Sequence, residues 1–141
     1  MRKLSVPLLK QDKLTCGVTA LRMVLQYFGK DVSSSEIIRK IGGIKSYGIR
    51  TIKLADFARS LGFRVECYSY NKKLAKGKAE IRKPAKFDII KFLKKHEKGR
   101  FWYNDPKDGK HHKIKEDDLM FAWFNNVLGS SAYLLVLYPK N

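Results

Sequence analysis

The apolar pattern of this chain changes its period once, near Gly62, and this change constrains the fold more than any other feature. Before Gly62, apolar residues recur at intervals of three and four, which is typical of helices with one buried face. After Gly62, apolar and polar residues alternate, which is typical of half-buried strands. The pattern therefore predicts an α+β fold in which helices precede an antiparallel sheet. With 141 residues, 44% of them hydrophobic, we expect one domain over residues 1–141.

Start and stop signals divide the first 62 residues into three helices. The first helix begins at Thr15, the second follows a capping box formed by Ser33 and Glu36, and the third is expected to have Thr51 as its cap. A glycine stands where each helix should end, at Gly29, Gly42 and Gly62. Short helical segments joined by glycine turns are therefore predicted for this half of the chain.

The rest of the chain is predicted to hold four strands and two further helices. The strands cover residues 63–70, 100–104, 110–114 and 132–137, and the helices cover 87–95 and 116–127. Asp105 and Pro106 end the second strand, and residues 107–109 form a hairpin turn to the third. The three aromatic residues at 101–103 are expected to divide between core and rim, because neighbours on a strand point to opposite faces.

The charge balance of the chain is strongly basic. Lys and Arg number 30 against 13 Asp and Glu, which gives a net charge of +17. Residues 71–100 hold twelve of the basic residues and three of the acidic ones. This basic segment predicts an anionic partner such as nucleic acid or a membrane surface, and the alternative is a solvated lysine-rich loop.

Several classes of protein are excluded by what the sequence lacks. No apolar run approaches the roughly 20 residues of a membrane helix, and Ser5 and Pro7 interrupt the N-terminal one too early for a signal peptide, so we expect a cytoplasmic protein without a transmembrane segment. Cys16 and Cys67 are too few for a disulfide framework, and Cys67 has the inward phase of a core residue. With no phosphate-binding glycine loop and no metal-ligand spacing, no cofactor or metal is expected.

Cys16 stands in the first turn of the strongest predicted helix, where the helix dipole favours a thiolate. Gly17 leaves space beside the sulfur, and Gln11 could direct an amide donor to the same point, as acyl transfer requires. The alternative is a small buried residue that serves packing.

Two motifs add a family resemblance. Residues 6–29, VPLLKQDKLTCGVTALRMVLQYFG, resemble the N-terminal signature of the bacteriocin-processing cysteine peptidases of double-glycine leaders and the papain-like group around them. Residues 101–123 are similar to the C-terminal half of the same fold, through the turn at Asn104-Asp105-Pro106 and the segment that ends at Trp123. The resemblance spans most of the chain and implies a papain-like cysteine peptidase fold. It also implies a peptide or protein substrate and, as a further partner, a transporter on a separate chain.

The resemblance implies a catalytic triad in which Cys16 attacks, a histidine moves the proton and Asp105 orients that histidine, while Gln11 binds the oxyanion. In the family the histidine begins an apolar strand, and about twenty residues, enough for two strands, are missing before Phe101. His96 precedes Asp105 in the chain and is our candidate for the base. The alternatives are His111 and His112, which follow the turn.

The missing histidine strand has two further consequences. Loss of interior strands exposes sheet edges, which predicts a homo-oligomer formed through those edges. It also supports a second hypothesis: a catalytically inactive domain of the same fold that binds peptides, or that binds anions or nucleic acid through residues 71–100.

Overall fold

A computed structural model describes residues 4–69, 81–82, 100–115, 118 and 133–140. It contains three helices, α1 (Cys16–Tyr27), α2 (Ser34–Lys40) and α3 (Thr51–Ser60), followed by five strands, β1 (Arg64–Ser69), β2 (Ile81–Arg82), β3 (Arg100–Asp105), β4 (Lys110–Lys115) and β5 (Tyr133–Tyr138). This order confirms the α+β class and the change of period near Gly62. The helices predicted at 87–95 and 116–127 lie outside the described residues apart from residue 118, and so does the basic segment 71–100 apart from residues 81, 82 and 100.

The helix boundaries follow the capping signals in the sequence. The Ser33 hydroxyl accepts a hydrogen bond from the backbone N–H of Glu36 at 3.1 Å, so the predicted cap of α2 is confirmed. Thr51 was expected to cap α3, but it is the first helical residue and Arg50 holds the cap position. Gly29, Gly42 and Gly62 all have φ between +73° and +91°, the left-handed backbone that ends a helix at little cost only with glycine.

The described strands form two separate sheets. The first has the order β2–β1–β5, with β1 antiparallel to β5 from Arg64 opposite Tyr138 to Ser69 opposite Tyr133. Its other pair, β1 with β2, is parallel, so this sheet is mixed rather than wholly antiparallel. The second is the hairpin of β3 and β4, which pairs Arg100 with Lys115 and Asp105 with Lys110.

The core lies between the three helices and the first sheet. Its buried members come from each helix and from the start of β1, and include Val18, Leu25, Ile37, Phe57 and Phe63. The rings of Phe28 and Phe63 meet with centroids 5.5 Å apart, which joins the end of α1 to the entry of β1. Burying a side chain of this size contributes roughly 1.5–3 kcal/mol, so this cluster is the main anchor for the helices.

Gly17 lies at a tight contact between α1 and α3. A Cβ atom at this position would lie 3.0 Å from Cδ1 of Leu54, which is itself buried. The glycine therefore serves helix packing, in addition to leaving the neighbouring sulfur uncrowded. None of the three described helices has the length and apolar character needed to cross a bilayer.

Candidate active site

Cys16 is the first residue of α1, as its place in the sequence predicted, and it is exposed. The hydroxyl of the cap residue Thr15 donates a hydrogen bond to the carbonyl of Asp12 at 2.9 Å and makes none to the helix. No side chain therefore caps α1. Backbone N–H groups at the start of a helix attract negative charge. The exposure of Cys16 contradicts the packing alternative and leaves the thiol accessible to a substrate.

A tight turn leads from Gln11 into α1. The N–H of Thr15 donates to the carbonyl of Asp12 at 3.3 Å, and Leu14 has φ of 59°. Leu14 is the one described residue other than glycine with a positive φ, a conformation that costs a residue with a Cβ about 1–2 kcal/mol. This strained turn sets the direction in which the chain delivers Cys16 to the helix.

Gln11 is tied to the turn that follows β3. Its backbone N–H donates to the carbonyl of Pro106 at 2.7 Å, and its side-chain Oε1 is buried without a hydrogen-bond partner. Rotating the carboxamide by half a turn exchanges its oxygen for its two N–H donors. An unpaired buried polar atom costs about 1–3 kcal/mol, so this end of the Gln11 carboxamide is available to an incoming polar group.

Asp105 ends β3 and organises the turn. Its Oδ1 accepts from the N–H of Lys107 at 2.8 Å, and its carbonyl accepts from the N–H of Gly109 at 2.8 Å. Gly109 faces Lys10: a Cβ at Gly109 would lie 3.2 Å from the Lys10 Cβ. The segment that carries Gln11 and the turn that carries Asp105 are therefore in direct contact.

The two described histidines occupy consecutive positions on β4. His111 is exposed, and its Nδ1 lies 2.5 Å from Oδ1 of Asn104. His112 is half-buried; its Nε2 lies 2.9 Å from Oδ2 of Asp108, and its ring stacks on Tyr103 at 5.2 Å. As alternation predicted, one imidazole points outward and the other inward. His96 lies outside the described residues.

Asp105, Asp108 and His112 form a group that the sequence reading missed. One ligand atom from each lies within 4.8 Å of the other two, which is close enough to hold a metal ion. Two hydrogen bonds already account for the positions of these side chains: one from the Lys107 N–H to Asp105, and one between Asp108 and His112. The signal for it was the hairpin turn, because pairing residue 105 with residue 110 places residue 112 one step along the same face.

Among the described residues, the surroundings of two titratable groups shift their pKa values. Partial desolvation raises the pKa of Asp108, but hydrogen bonds from the Lys110 N–H and His112 outweigh it and hold that pKa below its ordinary 3.8. Burial raises the pKa of the Cys67 thiol to about 11, with a further contribution from the negative charge of Asp56. Cys67 is thus an inert core thiol, in contrast with the exposed Cys16.

Two of the aromatic residues of β3 are exposed: Trp102 by 51% and Tyr103 by 39%. Of the core and rim positions expected for this run, these two residues take positions at the surface, and a core position within the run stays a prediction. Among the described strands, the hairpin of β3 and β4 pairs with no other strand.

Comparison with known proteins decides the family. Residues 5–131 match the Peptidase C39 family. The chain belongs to this family. The match confirms the predicted resemblance to bacteriocin-processing cysteine peptidases and covers both quoted motifs. No curated protein matches the sequence at a significant level.

Two solved structures of peptidase domains share the fold. One is a double glycine motif protease from an AMS/PCAT transporter, in complex with the leader peptide; it has a TM-score of 0.65 and 21% identity, and the alignment covers 98% of this chain and 94% of that one. The other is the peptidase domain of Streptococcus ComA, a bi-functional ABC transporter of a quorum-sensing pathway, with a TM-score of 0.61 and 14% identity, covering 96% of this chain and 99% of that one. The predicted loss of sheet residues in this C39 domain stays a prediction.

Proposed function

We propose that this chain is a cysteine peptidase-like domain that processes a leader peptide, with Cys16 as its nucleophile. The supporting observation is the 2.7 Å hydrogen bond from Gln11 N–H to Pro106 O. It joins the segment that enters the nucleophile helix to the turn formed by Asp105. Membership of the Peptidase C39 family supports the same chemistry.

In the proposed reaction, a histidine takes the proton of the Cys16 thiol, and the sulfur attacks the carbonyl carbon of the scissile peptide bond. The Gln11 carboxamide donates to the oxyanion that develops on the carbonyl oxygen. The imidazolium returns the proton to the leaving amine, which leaves a thioester on Cys16. Water, deprotonated by the same imidazole, then releases the carboxylic acid and restores the thiol.

The base is proposed to be His96, oriented by Asp105, with His111 and His112 as the alternatives. His112 already carries a carboxylate partner in Asp108, and Asp105 lies in the same group. A positioned carboxylate holds an imidazole in one tautomer and stabilises its protonated form. Substitution of each histidine in turn separates these assignments.

A second candidate function is peptide binding without cleavage. Both described histidines bond to side chains other than Asp105, namely Asn104 and Asp108. If no imidazole serves Cys16, the thiol lacks a proton acceptor, and the cleft retains only its capacity to bind. In either case the proposed partners are a leader peptide, related to the one in complex with the first structural neighbour, and a transporter on a separate chain. A cytoplasmic location is part of this proposal.

The test is cleavage of a panel of leader peptides with Gly-Gly at the cut site, each matched by a peptide with the two glycines replaced. Wild type should cleave the Gly-Gly peptides, and Cys16→Ala should lose activity while still binding them. His96→Ala, His111→Ala and His112→Ala then identify the base. Equal rates for wild type and Cys16→Ala would overturn the peptidase assignment. Peptide binding without any turnover would establish the second candidate.

A further inference from the structure

The solvent side of the β3–β4 hairpin carries a distinct set of side chains. Strand pairing sets Trp102 opposite Lys113 and Asn104 opposite His111, and Lys115 follows two residues beyond Lys113. Because side chains two apart on a strand share a face, these five residues lie together. We name this set the basic-aromatic face: Trp102, Asn104, His111, Lys113 and Lys115.

Exposure distinguishes this face from the one behind it. Trp102 is 51% exposed, and His111, Lys113 and Lys115 are exposed as well. On the other face, His112 and Ile114 are half-buried. From His111 to Lys115 exposed and half-buried residues alternate, so on this part of β4 the basic-aromatic face is the more exposed one, while Tyr103 on the opposite face of β3 is 39% exposed.

The charges on this face are of one sign. Lys113 and Lys115 lie about 7 Å apart along the strand, and neither faces a carboxylate across the hairpin. The described carboxylates of the hairpin lie elsewhere: Asp105 has the opposite phase on β3, and Asp108 is in the turn, bonded to His112. Like charges on neighbouring positions of a sheet are mildly destabilising, so the fold itself gains nothing from this pair.

The indole of Trp102 adds a planar surface to this positive field. The Lys113 Nζ lies 4.9 Å from the centroid of the Trp102 ring, so the cation and the ring are already neighbours. Proteins that bind single-stranded nucleic acid combine these features: a base stacks on an exposed aromatic ring, and adjacent phosphates contact lysines. Two lysines about 7 Å apart on an extended strand match successive phosphates of an extended polynucleotide.

We propose that the basic-aromatic face binds single-stranded nucleic acid, with a base on Trp102 and phosphates on Lys113 and Lys115. An acidic polypeptide would satisfy the lysines but has no regular planar group to cover the indole, and a duplex keeps its bases stacked away from it. The net charge of +17 adds long-range attraction for a polyanion. The proposal does not depend on cleavage, since Trp102, Lys113 and Lys115, which make the proposed contacts, have no role in the proposed peptidase reaction.

The experiment measures binding of a fluorescein-labelled oligothymidylate of about twelve nucleotides to the full chain by anisotropy, across a series of salt concentrations. Wild type should bind, and Lys113→Gln with Lys115→Gln should weaken binding at least about tenfold and reduce the slope of log K against log salt by about 1.4. The control Lys45→Gln with Lys53→Gln removes two exposed charges from the helical half and should change affinity less than about twofold.

The aromatic contribution is tested separately. Trp102→Ala should weaken binding by about tenfold or more, while Trp102→Phe, which keeps a stacking ring, should retain most of the affinity. Circular dichroism verifies that each variant folds, and the Phe variant keeps the test valid should the Ala variant not fold. Equal losses in the two lysine pairs would overturn the proposal in favour of unspecific attraction. Equal competition by poly-glutamate, or tighter binding of the matching duplex, would overturn it in favour of another polyanion.

Discussion

The backbone N–H of Gln11 donates a 2.7 Å hydrogen bond to the carbonyl of Pro106. This bond joins the segment before α1 to the turn that follows β3. Next to this bond, Gly109 and Lys10 are also in close contact. A Cβ atom on Gly109 would lie 3.2 Å from the Lys10 Cβ. Backbone atoms thus hold the two halves of the candidate site together. Small changes of the backbone should therefore alter the geometry of this contact.

Replacement of Gly109 by alanine should loosen this contact. Gly109 has φ of +69°, a left-handed backbone that costs alanine about 1–2 kcal/mol. The methyl group of alanine would also be in close contact with Lys10. We expect Gly109→Ala to lower the free energy of unfolding by about 1 kcal/mol more than the backbone cost alone. Urea denaturation measures this, and hydrogen exchange of the Gln11 amide should accelerate.

Gly29→Ala is the matched control for that change. Gly29 has φ of +73°, almost the same backbone, and a Cβ there would meet nothing within 4 Å. Gly29→Ala should therefore show the backbone cost without any change at the Gln11 amide. Equal free-energy losses in the two variants, with unchanged exchange at Gln11, would contradict the close contact.

Replacement of Gly17 by alanine should destabilise the helix pair α1 and α3. Alanine favours a helix over glycine by about 1 kcal/mol, but its Cβ would stand 3.0 Å from the buried Leu54 Cδ1. Overpacking of this kind costs about 1–3 kcal/mol, so we expect a net loss of stability of about 1 kcal/mol. In a Leu54→Ala background the same change should become stabilising, and a double-mutant cycle measures the coupling. Additive effects would disprove the contact.

Alkaline pH should weaken the fold through Cys67. Burial and the charge of Asp56 raise the pKa of this thiol from 9.0 to about 11, so the folded state holds a proton that the unfolded state releases. The contribution of this thiol to stability is therefore complete below pH 9 and falls as the pH rises toward 11, by up to roughly 3 kcal/mol. Urea denaturation at pH 8 to 11 should show a steeper loss for wild type than for Cys67→Ala. Parallel curves would contradict the assignment.

Alkylation should separate the two cysteines. Cys16 is exposed and Cys67 is buried, so iodoacetamide should label Cys16 in the native protein and reach Cys67 only on unfolding. Mass spectrometry of peptides after brief labelling measures both sites. The prediction fails if native protein carries comparable label on Cys67.

Acid should loosen the hairpin through Asp108. The folded pKa of this carboxyl is below 3.8, so its contribution to stability is present above that pH and is lost as the pH falls through the folded value. Desolvation works against this shift, while the Lys110 N–H and His112 produce it. Because the group is exposed, the effect should be small. Asp108→Asn should flatten the dependence of the unfolding midpoint between pH 5 and pH 3, and an unchanged dependence would count against the pairing.

Local signals in the sequence were sufficient to predict the helical half of the fold. Ser33 with Glu36 started a helix, glycines ended three of them, and the position of Cys16 followed from the helix pattern. Each of these features depends on neighbours within a few residues. The misplacement of Thr51 by one position is of the size expected at a helix end.

Features that depend on distant pairing could not be predicted in the same way. The bond between Gln11 and Pro106 depends on the path of two segments that lie far apart in the sequence. The contact between Asp108 and His112 depends on the exact register of the strands across a turn. The exposure of Trp102 depends on which strands flank the hairpin, and strand alternation alone does not contain that information. The assignment of His96 stays a prediction.

The separation of Gln11 and Pro106 along the chain determines the order in which the protein can assemble during translation. The three helices are synthesised first and can pack early, since their contacts are local. The Gln11 amide must wait for its carbonyl partner until the ribosome has added Pro106. The candidate site is therefore complete only after α1 and its cysteine have already been made.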